Sequence, residues 1–191
     1  MSEPSRRLNL DWVLPSLAVG GRFPIDTAEH LAGKLGIRHV VDVRVEAHDD
    51  ARVLGEHGIT LLHLPTEDLR ALYVDRLDEG VAWVTGHLSR GHKVYIHCEH
   101  GVGRSALLAL CVLVALGQAP LEALALMKAR RWQVSPSTEQ LQAFMAWAET
   151  WRQRHAVAWQ VPTVEALAAI AHSHLRQPPL EAQGGSEGGE A

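Results

Sequence analysis

Two cysteines in 191 residues are too few for a disulfide framework, so this chain is not a small scaffold held together by cross-links. Nor does any apolar run approach the ~20 residues that a bilayer-crossing helix needs. The longest, residues 106–116, reads as a buried core helix. Positive charge is not in excess either: 18 Lys and Arg against 22 Asp and Glu leave a formal net charge of −4. Attraction to nucleic acid or acidic membranes by bulk charge is thereby excluded, although a local basic pocket is not. Residues 1–11 lack the apolar stretch of a secretory signal, and the expected setting is the reducing cytoplasm. There is no internal repeat and no sign of an oligomeric state.

What is present is ordinary globular composition, 47% hydrophobic and 21% charged, which is enough apolar material for a buried core. At roughly 100–200 residues per domain the length fits one domain, expected over residues 1–175. Residues 176–191, with Pro178-Pro179, Gly184-Gly185 and Gly188-Gly189 among polar and acidic neighbours, are expected to be a disordered tail. Within the domain, strand-like and helix-like patterns alternate. Apolar pieces at 8–13 and 17–19 flank Pro15-Ser16 and suggest a hairpin or edge pair. Asp26 followed by Glu29 is a capping-box pattern for a helix ending at Gly36. Strands are expected at 37–43, at 59–64 before Pro65, and at 93–97. A short polar helix is expected near 49–57 and a longer one around Leu77, Val81, Val84 and Leu88. Strands separated by helices imply an α/β fold, with a central, mostly parallel twisted sheet of four to five strands flanked by helices. The last third reads as helical, at 105–116, 120–131, 137–154 and 163–175.

The chemistry concentrates in His97-Cys98-Glu99-His100-Gly101-Val102-Gly103-Arg104-Ser105, between an expected strand and an expected helix. A strand, tight loop and helix start aim backbone N–H groups at one spot, which makes an anion site. Those donors and Arg104 favour a thiolate at Cys98, the nucleophilic form. Gly101 and Gly103 allow the loop to curl, and the Arg104 fork matches two phosphate oxygens. Ser105 is placed to donate a hydrogen bond to the sulfur and ease its departure from a covalent intermediate. Transfer of a phosphoryl group to sulfur also needs an acid for the leaving alcohol or phenol. Asp68, just past an expected parallel strand, fits that need, with Glu67, Asp75 and Asp78 as rivals.

The run His-Cys-x-x-Gly-x-x-Arg-Ser resembles the signature of the cysteine-dependent protein tyrosine phosphatases. With Asp68 lying 30 residues before Cys98, the chain looks like the compact dual-specificity branch. The resemblance spans about 140 residues, from 14–21 through Gly36-Ile37-Arg38-His39-Val40-Val41-Asp42-Val43 to 131–141. It implies a cysteinyl-phosphate mechanism with neither metal nor other cofactor. Cys98 would attack phosphorus. The amides of Glu99, His100, Gly101, Val102, Gly103 and Arg104, with the Arg104 side chain, would hold the phosphate. Asp68 would protonate the leaving group and then activate water, and His97 would orient the thiolate. The implied partner is a phosphorylated protein, bearing phosphotyrosine or phosphoserine and phosphothreonine. Phosphoinositides and other small phosphate esters are the alternative substrates. Lysines often found in phosphoinositide-specific members of the family are absent from this loop. An acidic Glu99 at the mouth would disfavour a multiply phosphorylated head group, provided that its side chain faces inward.

Other readings of the same residues stand beside these. Cys98, His97 and His100 could ligate zinc, but the glycines and Arg104 would serve no purpose around a cation. Cys111, among leucines and valines, reads as a core thiol, with a protective disulfide to Cys98 as the alternative. Trp132, Trp147, Trp151 and Trp159 read as packing residues. Ser135-Pro136 and Ser137 with Gln140 both fit helix caps, while Gln140 could instead position water. Arg44, at a strand end, is a candidate for binding substrate phosphate or else a surface residue. A rhodanese-like sulfurtransferase would place Arg five residues after Cys, where this chain has Gly103. A dead phosphoprotein-binding module would usually have lost the Cys, the Arg or the acid.

Overall fold

Alternating apolar positions along the strands bury both faces of one sheet, and they divide the core in two. In the computed structural model, which describes residues 8–175, five strands run in the order β1-β2-β5-β3-β4. They are β1 (Leu10–Leu14), β2 (Leu17–Gly20), β3 (Ile37–Arg44), β4 (Thr60–Thr66) and β5 (Lys93–His97). Only β1 and β2 are antiparallel; the β2–β5, β5–β3 and β3–β4 pairs are parallel, as the alternation of strands and helices required. The expected tail at 176–191 lies outside the described residues.

Val19, Val41, Val43, Val94 and Ile96 point to the larger core, shared with α3 (Val74–Leu88), α4 (Arg104–Ala115), α5 (Pro120–Arg130), α6 (Thr138–His155) and α7 (Val164–Ala171). Ala18, Val40 and Tyr95 point to the smaller one, closed by α1 (Ala28–Gly33) and α2 (Ala51–Glu56). Helix α4 is buried along nearly its whole length, which explains a sequence apolar on every side. Gly80 on α3 brings that helix against α4: a Cβ there would lie 2.7 Å from Leu108 Cδ1.

Two local expectations need correction, and one of two alternative caps is selected. Asp26 sits inside a 3-10 turn over Ile25–Thr27 and is not the N-cap of α1; that position is Thr27, whose hydroxyl turns back to the Pro24 carbonyl at 2.6 Å and makes no cap bond among the described residues. Strand β4 continues through Pro65 to Thr66, because it is an edge strand and a missing N–H is tolerated on the open side. The cap of α6 is Ser137 rather than Ser135: its Oγ accepts from the Gln140 amide and Gln140 Oε1 accepts from the Ser137 amide. Trp147 and Trp151 stack in the packing between helices, but Trp132 is largely exposed. Among the described residues no helix is long and apolar enough to cross a membrane.

The parallel strands end on one edge, and the carboxyl ends of β2, β5, β3 and β4 bring Gly20, His97, Arg44 and Thr66 together there. Leu108→Ala should cost about 2–5 kcal/mol in urea denaturation. Leu116→Ala, at the half-exposed end of α4, should cost less than about 0.5 kcal/mol.

Candidate active site

The loop from Cys98 to Gly103 joins β5 to α4, and its curl is set by how its carbonyls are tied down. Glu99 O accepts from the Arg22 amide at 3.0 Å and Val102 O accepts from the Ser135 amide at 2.9 Å. His100 O accepts from Arg131 Nη2 at 2.9 Å and Asn9 Nδ2 at 3.2 Å, and Gly101 O accepts from Arg131 Nε at 2.8 Å. Across a trans peptide the N–H points opposite to the carbonyl. With four carbonyls held outward, the N–H groups of His100, Gly101, Val102 and Gly103 face the inside of the curl. The Gly101 amide does so visibly, donating to Cys98 Sγ at 3.2 Å. Gly101 has φ +71, and a Cβ there would lie 2.2 Å from the Gly20 backbone, so no other residue fits.

Cys98 is buried, and its sulfur lies 3.3 Å from the Ser105 hydroxyl. A cavity of about 200 Å³ opens over it, lined by Asp68, Leu69, His100, Val102, Gly103, Ser135 and Gln140. The chain therefore brings Cys98, Ser105, Asp68, His100, Val102, Gly103 and Gln140 to one place. Gln140 is nonetheless occupied: besides its cap bond, Nε2 donates to Arg70 O at 2.9 Å. Its amide also backs the loop, since a Cβ on Gly103 would meet it at 2.5 Å.

Arg104 opens α4 with its side chain buried. Glu46 takes the end of the guanidinium with two bonds of 2.7 Å, from Nη1 and Nη2, and Thr66 O accepts from Nη1 at 2.8 Å. These bonds hold the Glu46 carboxyl down at about 2, so it stays charged through any working pH. Asp68 Oδ1 is 3.3 Å from Nη2. The buried Nε–H has no partner among the described residues. Glu46 thus fixes the fork from its far end and leaves the side formed by Nε and the outer Nη2 hydrogen for two further oxygens.

Behind the sulfur lies a buried charged chain. His97 is fully buried; Nε2 is 2.7 Å from Asp49 Oδ2, and Nδ1 is 3.3 Å from the carbonyl of Cys98. Asp49 Oδ1 accepts from Arg44 Nη2, and Arg44 in turn grips both oxygens of Asp42 at 2.9 Å. Burial pushes the Asp42 carboxyl up, but the bonds from Arg44 and the electrostatic interaction with His97 outweigh it and hold it below its ordinary range. Arg44 is therefore neither a surface residue nor part of the cavity lining. Three carboxylates, Asp42, Asp49 and Glu99, hold it inside. Glu99 likewise turns away from the cavity to Arg22 and Arg44, at 2.7 and 3.3 Å, so the argument from an acidic mouth fails.

Asn9, Glu46, Asp49 and Arg131 were not found from the sequence. All four act across long separations, and no local pattern marks them. Cys111 is free and buried in α4, its thiol pushed well up by burial, as a core thiol should be; Cys98 is free as well.

Comparison with known proteins places this geometry in a familiar setting. The family model for the dual specificity phosphatase catalytic domain matches residues 25–150. The solved structure of Tk-PTP in its active form is 24% identical, with a TM-score of 0.68 over 74% of this chain and 97% of that one. PTPMT1 in complex with PI(5)P is 19% identical, with a TM-score of 0.70 over 74% and 96%. A mouse putative dual specificity phosphatase complexed with zinc tungstate is 18% identical, with a TM-score of 0.70 over 84% and 99%.

Replacing Asp42 with Asn should destabilise the protein by about 3–5 kcal/mol in denaturant titration, because Arg44 loses its two-point partner in the interior. The depressed carboxyl also gives the sign of the pH effect. Its contribution is full above the ordinary carboxylate range and is lost as the pH falls through its folded value, so the gap between wild type and Asp42→Asn should narrow in acid.

Proposed function

Given that this chain belongs to the dual specificity phosphatase family and is a cysteine-dependent phosphatase, we propose that it dephosphorylates proteins at phosphotyrosine, phosphoserine and phosphothreonine through a phosphocysteine intermediate. The observation that carries this reading is the Nε of Arg104, unpartnered among the described residues, which with the inward loop amides forms a set of donors around the Cys98 sulfur that match three phosphate oxygens. The Cys98 thiolate attacks phosphorus, the S–P bond forms, and the ester P–O bond breaks. The leaving oxygen takes its proton from Asp68, which lines the cavity and is exposed to an incoming substrate. Water then attacks phosphorus and gives its proton to the Asp68 carboxylate. The S–P bond breaks, inorganic phosphate departs, and the Ser105 hydroxyl supports the returning thiolate. His97, fixed by Asp49, holds the Cys98 carbonyl and hence the start of the loop.

A protein substrate is favoured by the rim. A second groove of about 560 Å³ next to the acid loop is lined by Val45, Arg70, Ala71 and the exposed Tyr73, enough room for residues flanking a phosphorylated side chain. Arg22, Arg44, Arg70 and Arg76 around the site all face carboxylates, which leaves little cationic capacity for further phosphates of an inositol head group. The catalytic unit of this reading reaches past residues 25–150 on both sides, because Asn9 and Asp11 hold Arg131 and Leu167 of α7 joins the core. A cytoplasmic setting, in which Cys98 stays reduced, goes with it.

Turnover of an aryl phosphate should need no added metal and should vanish in Cys98→Ser; surviving activity rejects the mechanism. Asp68→Asn should lose about 100-fold in kcat with esters of poor leaving groups and less than about 10-fold with activated aryl esters. Equal losses would assign the acid elsewhere. Faster turnover of phosphoinositides than of phosphopeptides in a side-by-side panel would reverse the substrate assignment.

A further inference from the structure

The opposite edge of the sheet carries a cluster that the phosphatase chemistry does not use. His39, buried near the start of β3, is bracketed by His87 in the last turn of α3 and His92 just before β5. His39 Nε2 lies 2.9 Å from His92 Nδ1, and its ring stacks on His87 with centroids 3.5 Å apart. One ligand atom from each of the three falls within 4.8 Å of the others. The Nδ1 of His87 is buried with no hydrogen-bond partner among the described residues, an unusual state for an imidazole nitrogen.

We propose that His39, His87 and His92 form a binding site for a divalent transition metal of the zinc class, remote from the catalytic cavity. Three neutral imidazoles with no carboxylate suit zinc, nickel or copper and not the oxygen-seeking magnesium or calcium. Zn–N bonds of ~2.0–2.1 Å at tetrahedral angles put ligand nitrogens about 3.3 Å apart. That spacing lies between the present His39–His92 contact and the outer limit of the cluster; because the lone pairs lie in the ring planes, the His87 ring must also turn off its stack on His39 to face the ion. The Nδ1 of His39 is 2.6 Å from the Thr60 hydroxyl, which orients the ring and leaves Nε2 to point at the ion. Trp83 meets His39 and His87 edge-on and walls the site, while exposed His92 offers the entry. The backbone already holds two ligands in register, since the His92 amide donates to His87 O at 3.1 Å. Arg90 in the same turn is a nearby cation that opposes an ion, and its side chain is exposed. The fourth position is left to water. The ion would join β3, α3 and the turn before β5, and so stiffen the edge from which β5 rises to Cys98.

Zinc is titrated into the full chain against a chromophoric chelator, in a Cys98→Ser background so that the active-site thiol cannot bind it. One zinc per chain is expected, with a rise in Tm on saturation. The affinity should fall at least about ten-fold in His92→Ala and in His87→Gln, added singly to that background; neither residue is fully buried, so both variants should fold. Absence of saturable uptake in the Cys98→Ser protein, or an affinity in either histidine variant equal to that of the Cys98→Ser protein, would overturn the site.

Discussion

The buried guanidinium of Arg131 is the contact on which the proposed phosphate cradle depends. One side chain, 2% exposed, donates to Gly101 O and His100 O in the loop and to Asn9 and Asp11 before and within β1. Turning those two carbonyls outward turns the following amides inward. A flat fork is needed, because four acceptors lie in several directions about one cation, and an ammonium on a flexible stem cannot meet them together. The β1–β2 hairpin thereby becomes part of the site: the Gly20 backbone lies so close to Gly101 that residue 101 has no room for a side chain, and Asn9 O and the Tyr95 hydroxyl leave none at Gly20.

Charge follows the same design throughout the edge. An acidic chain builds a cationic hole by pairing each arginine with carboxylates that fix its orientation: Glu46 with Arg104, Asp42 and Asp49 with Arg44, Asp11 with Arg131. Buried ion pairs of this kind add little net stability, because desolvation offsets their attraction, but they hold the donors in place before substrate arrives. In the proposed mechanism the neutralised arginines contribute geometry, while the attraction for the anion falls to the inward amides, the α4 N-terminus and the open side of Arg104.

Much of this was legible in the sequence where the chemistry is contiguous. The loop from His97 to Ser105 declares itself because the nucleophile, the curl and the fork must follow one another along the chain. Strand and helix alternation gave the parallel sheet, and the Ser137–Gln140 box was readable because a cap is local. What was not legible acts at a distance: Arg131 reaches the loop across 30 residues, Asp49 meets His97 across 48 and Glu46 meets Arg104 across 58. Arg44 looked free to bind substrate because a strand-end arginine gives no sign of the three carboxylates that fold around it. Asp26 shows the converse failure, a good local pattern overridden by the turn that Pro24 begins.

If outward-held carbonyls make the cradle, its affinity for an anion must depend on the shape of residue 131 and not on its charge. Calorimetric titration of inorganic phosphate into wild type and Arg131→Lys, with Tm recorded for both, separates the two. The account predicts that the lysine variant, still folded and still carrying the same net charge, binds phosphate about ten-fold or more weakly. Equal affinity in a folded Arg131→Lys protein would contradict it.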